Sequence, residues 1–200
     1  KRISCIVDRY GDLMSQVFFE ARLPQISFPE NEKKGIYLSW CNKIGHALFK
    51  YVDIEIGGEL IDRHYGQWLE IWNELTQPEE KKDAYNNMIG SFDNFNATKQ
   101  GGEILIRVPL QFWFCKNIGL AFPLISLQYH EVKFIFEIRK LEDLWVSNTG
   151  KFENTCEDVL KINKCLDCDI DSDFCTKPLC DVQLLDAKLW IDYIFLDTPE

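Results

Sequence analysis

No run of 18 apolar residues occurs in the 200-residue chain, so nothing in it reads as a transmembrane helix. Nor is there a cluster of five basic residues. The pair Lys81-Lys82 lies among Glu79, Glu80 and Asp83 and reads as a solvated helix face. With a formal net charge of −10, general electrostatic attachment to nucleic acid is excluded. Histidine is scarce. His46, His64 and His130 are too scattered for a cupin-type metal centre and read as hydrogen-bonded structural residues. The chain lacks G-x-S-x-G, H-E-x-x-H and the phosphate-binding P-loop, and Gly57-Gly58 and Gly101-Gly102 are turn glycines. No signal-peptide pattern, internal repeat or linker composition is visible. These absences leave no enzyme chemistry to propose.

What is present is apolar alternation. Hydrophobic residues make up 46% and aromatics 14%, enough for a sizeable core in one domain over 1–200. Val17, Phe19, Ala21 and Leu23 share a face, as do Val52, Ile54 and Ile56. A longer face joins Ile104, Ile106, Val108, Leu110, Phe112 and Phe114. Val132, Phe134, Phe136 and Ile138 repeat the pattern, as do Leu189, Ile191, Tyr193 and Phe195, and Ile3, Cys5 and Val7 open the chain with it. Period two predicts half-buried antiparallel strands, and Pro109 predicts an edge or a bulge. One stretch, 66–90, breaks the period. Trp68, Leu69, Trp72 and Leu75 are spaced as on a helix. Pro78 then starts a second short helix that Gly90 stops. Residues 147–181 form a long acidic, cysteine-rich connection with little periodicity, which predicts a functional surface loop. Six or seven strands with long insertions predict an all-β sandwich, and the uneven connections favour a jelly roll over an immunoglobulin-like fold. Because Lys1 opens inside a strand-like stretch, a fragment of a longer chain is expected.

The eight cysteines divide unevenly. Cys5, Cys41 and Cys115 sit singly among apolar residues and are expected to be buried small hydrophobes. The other five crowd between Cys156 and Cys180, unlike a disulfide framework spread over a small secreted domain, which favours folding in a reducing compartment. Cys165, Cys168, Cys175 and Cys180 could surround one tetrahedral zinc, which would stiffen the loop. Late-formed disulfides and free thiols stay open beside zinc, and Cys156 is left over. Asp167, Asp169, Asp171 and Asp173 alternate here, but a calcium loop fails because Ser172 and Pro178 occupy the positions that need Gly and Glu. Asn96-Ala97-Thr98 is an isolated glycosylation sequon in a loop.

Three stretches resemble the major capsid proteins of nucleocytoplasmic large DNA viruses. The first runs Leu60-Ile61-Asp62-Arg63-His64-Tyr65-Gly66-Gln67-Trp68-Leu69-Glu70 and on through Trp72-Asn73-Glu74-Leu75-Thr76. The second is Val108-Pro109-Leu110-Gln111-Phe112-Trp113-Phe114 with Gly119 to Ile125 and Leu127 to Val132, and the third is Ala187 to Asp197. The resemblance implies the first jelly roll of a double jelly roll, without its leading strand. It also implies a homotrimeric pseudo-hexagonal capsomer in an icosahedral shell, assembled in the host cytoplasm. Neighbouring capsomers, minor capsid proteins and an internal virion membrane would lie nearby. Within that frame Trp68, Trp72 and Trp113 are candidate interface anchors, although each, Trp72 above all, also suits a core. No cofactor is required, and structural zinc is the one candidate. The competing readings are a minor capsid paralogue and a carbohydrate- or receptor-binding jelly roll using Trp113, Trp190 and Trp40.

Overall fold

The computed structural model describes residues 1–26, 38–91, 103–147 and 183–196. The cysteine-rich segment, the sequon and Cys156 to Cys180 lie outside the described residues. Ten strands follow in chain order: β1 (Arg2–Ile6), β2 (Leu13–Leu23), β3 (Leu38–Trp40), β4 (Phe49–Ile56), β5 (Glu59–His64), β6 (Ile104–Pro109), β7 (Phe122–Pro123), β8 (Val132–Ile138), β9 (Trp145–Ser147) and β10 (Asp186–Ile194). Among the described residues three α-helices interrupt them: α1 (Ile44–Ala47), α2 (Gly66–Thr76) and α3 (Glu79–Ile89).

The first sheet runs β1-β8-β4-β5 and the second β10-β2-β6, every pair antiparallel; β7 caps the start of β2 and β3 pairs with β9. Apart from the β4–β5 hairpin, successive long strands pass from one sheet to the other, which is jelly-roll connectivity. The two inner faces meet through aromatic rings. Phe19 of β2 lies 5.0 Å from Phe49 and 4.9 Å from Phe136, both on the opposite sheet. These rings are fully buried with Val17, Ala21, Leu23, Val52, Ile54, Phe134 and Ile138, the residues that alternate in the sequence.

Two expectations are corrected. The apolar face from Ile104 to Phe114 is not one strand. Pairing ends at Pro109, which has no N–H for the ladder, and Trp113–Cys115 is a 3-10 turn. Leu110, Phe112 and Phe114 still point inward, so alternation outlasts the strand. Pro109 itself sits on the edge strand of its sheet, where proline is tolerated. Cys5, Cys41 and Cys115 are half-buried rather than enclosed, and burial pushes the Cys115 thiol up to about 12.

The helices are joined tightly to the barrel. A Cβ on Gly66 would lie 2.2 Å from the His46 carbonyl oxygen and 2.5 Å from that of Phe49. Only glycine lets α2 start so close to α1 and β4. Gly90 takes φ 72° after α3, and Ser91 N–H donates to the Asn86 carbonyl, so the helix stops on a left-handed glycine. Glu79 and Glu80 in the first turn of α3 complement its dipole.

Candidate interaction surface

β5 is the outer strand of its sheet, and the polypeptide runs from it directly into α2. Its Asp53–Arg63 register with β4 is locked by a bidentate ion pair. Arg63 Nε and Nη2 donate to the Asp53 carboxylate at 2.6 and 2.8 Å, and the guanidinium lies 4.3 Å from the Tyr51 ring centroid. The Asp53 carboxylate raises the Arg63 guanidinium above its ordinary value. With β5 so fixed, Leu60 and Ile61 face solvent, and Tyr65 follows at its end.

The faces of α2 reverse the usual arrangement. Gly66, Leu69 and Asn73 are buried toward the barrel. The apolar stripe of Trp68, Ile71 and Leu75 points outward, exposed by 40, 52 and 76%. Trp72 is half-buried beside Trp68, ring centroids 5.8 Å apart, with the Lys116 ammonium 4.1 Å above its own ring. Neither tryptophan is thus a full core residue. Trp113 is also half-buried: it packs edge-on against Phe114 and Phe122 at 5.1 and 5.9 Å, at the margin of the main cluster. Among the described residues no ring contact joins Trp113 to the Trp68–Trp72 pair. Sequence reasoning missed Leu60, Ile61, Tyr65 and Ile71 as members of this surface. Adjacent Leu60-Ile61 in an edge strand was the available signal, since alternation would place one of them inward.

Behind the stripe lies a polar cluster. The Lys43 ammonium bonds Glu70, and Glu74 at 2.6 Å. His46, 2% exposed, has Nδ1 2.6 Å from Glu70 Oε2 and Nε2 2.9 Å from the Tyr85 hydroxyl. Burial lowers the His46 imidazole, with Glu70 opposing, and raises the Tyr85 phenol. Burial also lowers Lys43, but Glu70 and Glu74 outweigh it and leave it raised. His64 stacks on Phe112 at 4.5 Å, its Nε2 3.2 Å from Asp62, and among the described residues its buried Nδ1 has no partner. Both histidines are held within the fold by side-chain partners.

Of the three tryptophans considered for carbohydrate binding, Trp190 alone is exposed. Trp40 is 3% exposed in the core, its Nε1 donating to the Pro24 carbonyl, Trp113 is half-buried, and Trp190 stands 55% exposed on β10. Among the described residues no group of three or more His, Cys, Asp or Glu is placed to hold a metal, and no helix is long and apolar enough to cross a membrane. Cys165, Cys168, Cys175 and Cys180 lie outside the described residues.

Comparison with known proteins supplies the remaining observation. The family model described as major capsid protein N-terminus matches residues 1–197. The chain is 35% identical to the major capsid protein of Phaeocystis pouchetii virus, covering 100% of this chain and 39% of that protein. It is 34% identical to the major capsid protein of Pyramimonas orientalis virus, covering 100% and 41%. The solved structure of PBCV-1 VP54, fitted into a reconstruction of the virophage Sputnik, superposes with a TM-score of 0.68 at 25% identity, over 99% of this chain and 39% of that one. The chain therefore spans about two-fifths of the length of these relatives.

Proposed function

Since the chain belongs to the family of viral major capsid proteins, its residues 1–197 matching the N-terminal family model, we propose that it forms the first barrel of a shell subunit. In the full-length protein this subunit assembles as a homotrimeric capsomer, in the host cytoplasm, against neighbouring capsomers and minor capsid proteins. The observation that carries the reading is the agreement of sequence and fold along the whole chain, with a TM-score of 0.68 to a capsid protein. The jelly roll suits the role. Its two sheets are clamped by interlocked rings, so load on one strand spreads through the barrel.

The outward stripe of Trp68, Ile71 and Leu75, with Trp72 beside it, is the surface most in need of a partner. Large apolar side chains exposed together on a rigid helix mark an interaction site. We assign Trp68 and Trp72 to the contact between subunits, and leave Trp113, packed on Phe114 and Phe122, to the barrel. The second sheet has three long strands among the described residues, one fewer than half of an eight-strand jelly roll. Among the described residues β10 pairs on one side only, and its outer edge could take a further strand of the full-length subunit. No catalytic role is proposed.

The test is the native mass of the full-length protein, followed by electron microscopy of the same sample. Trimers that form hexagonal arrays are the expected result. A monomer that never assembles would overturn the shell reading and favour a minor paralogue or a binding module. Zinc measured in that sample addresses the four cysteines. One zinc per chain, lost in the Cys165→Ser, Cys168→Ser double variant, is expected for a tetrahedral site. Zinc-free protein would leave thiols or disulfides.

A further inference from the structure

Three helices meet on one imidazole. α1 contributes His46, α2 contributes Glu70 and α3 contributes Tyr85, and the two longer helices are joined only by the extended Gln77-Pro78 elbow. Backbone contact leaves no slack at this junction. Beyond the closeness of Gly66 to the His46 carbonyl, a Cβ on Gly45 of α1 would come within 2.9 Å of the Ile89 carbonyl oxygen on α3.

The bonding pattern fixes where the protons are. Glu70 offers only lone pairs when ionised, so Nδ1 carries the imidazole hydrogen and donates to it. Nε2 of the neutral ring is then an acceptor, and the Tyr85 hydroxyl donates. Among the described residues no other group bonds the phenol oxygen, and Tyr85 is 8% exposed. Adding a proton at Nε2 makes both ring nitrogens donors. The Glu70 bond becomes a charge-assisted pair and strengthens. The Tyr85 bond must reverse. Its oxygen would accept from Nε2–H, and its own hydrogen would lose its acceptor inside the protein, where an unmade bond is costly.

We propose that His46 is a proton-operated joint of the helical insertion, which in its neutral form ties both α2 and α3 to the barrel and in its protonated form keeps α2 while releasing α3. The groups facing the imidazole are Glu70 from α2 and Tyr85 from α3, with Lys43 and Glu74 completing the charge cluster through Glu70. Burial resists the proton and Glu70 favours it, so release comes below the ordinary histidine range near 6.5. The stripe of Trp68, Ile71 and Leu75 rides on the helix that stays. Acid therefore loosens the insertion beside that surface without dismantling it. This mechanism does not depend on the shell reading.

The experiment is hydrogen exchange with mass spectrometry on the full-length protein at pH 7.5 and 5.0, corrected for the intrinsic rate. Amides of Tyr85 to Ile89 should exchange about tenfold faster at the lower pH, as expected when a buried hydrogen bond holding a local unit is lost, while Glu70 to Thr76 hold steady. Tyr85→Phe should exchange fast in α3 at both pH values. His46→Gln, which cannot take up a proton, should show no pH difference. Equal responses of α2 and α3, a pH difference that survives in His46→Gln, or Tyr85→Phe behaving as the natural protein at both pH values would overturn the proposal.

Discussion

Replacing Gly66 with alanine tests the junction on which the helical insertion is built. In most helix starts this change is harmless or helpful, because alanine is favoured over glycine by up to about 1 kcal/mol. Here the added methyl would lie 2.2 Å from one carbonyl oxygen and 2.5 Å from another. Both atoms are backbone, so no side chain can swing aside. To restore even 3.0 Å, the start of α2 must retreat by about 0.8 Å from α1 and β4. Overpacking of this kind costs about 1–3 kcal/mol, and the rigidity of both neighbours puts the cost near the upper end. Subtracting the propensity gain leaves a net loss of about 2 kcal/mol. For a domain of this size that lowers Tm by about 4–8 °C. Thermal unfolding of the full-length protein followed by near-ultraviolet circular dichroism would read it. Gly58→Ala is the control. That site is open, with nothing within 4 Å, and its strain comes only from φ +88°. A Gly66→Ala protein as stable as its parent would refute the close-contact argument.

Other outcomes follow from the same geometry. Trp68→Ala should weaken trimers of the full-length protein while leaving Tm almost unchanged, because the ring is 40% exposed; a lower Tm with intact trimers would return Trp68 to a structural role. Arg63→Leu should be clearly destabilising in urea, because it strands the Asp53 carboxylate, whose side chain is 2% exposed. Removing both charges with Asp53→Val should recover most of the loss, and a double variant no better than the single one would contradict this. His64→Phe keeps the stacking on Phe112 and removes an unpartnered buried nitrogen. Burial, with Asp62 opposing, holds the folded His64 imidazole below its ordinary value, so the unfolded chain takes up the proton first. Stability then falls as pH drops through about 6.5 toward the depressed folded value. Melting scans should show the phenylalanine variant gaining on its parent between pH 7.5 and 5.5; a constant difference across that range would show that His64 contributes nothing to the acid limb.

The barrel was legible in the sequence wherever a face alternates for several residues. β2 and β8 bury the residues that the period-two pattern assigns inward, and β4 buries Val52 and Ile54; Ile56 is only partly buried, and Asp53, expected outward, is buried in its ion pair with Arg63. The helical spacing from Trp68 to Leu75 and the stop at Gly90 reappear in α2 and α3. The orientation of α2 was not legible. A periodic apolar stripe does not say whether it faces its own barrel or a neighbour, and here β4 and α1 claim Gly66, Leu69 and Asn73 instead. α1 is too short to show a period. β3 and β9 are three residues each, and their pairing depends on distant chain. The Lys43–Glu70–His46–Tyr85 cluster includes a bonded pair, His46 and Tyr85, 39 positions apart along the chain, a separation that no local pattern records.

The strand pairing also governs when the barrel can form. β10 zips onto β2 from Asp186 opposite Arg22 to Ile194 opposite Leu13, and β1 zips onto β8 from Arg2 opposite Glu137 to Ile6 opposite Lys133. Each sheet therefore joins an early part of the polypeptide to a late one, giving the domain a high contact order. A ribosome adding about 5–20 residues per second needs on the order of ten seconds or more to pass from β2 to β10. Until β8 is made, the inward face of β2, with Val17, Phe19, Ala21 and Leu23, has no complete opposite sheet to cover it, and until β10 arrives its own sheet is unfinished. Closure is a late event, and until then the burden of shielding the unfinished barrel falls on the chaperones of the cell that makes it.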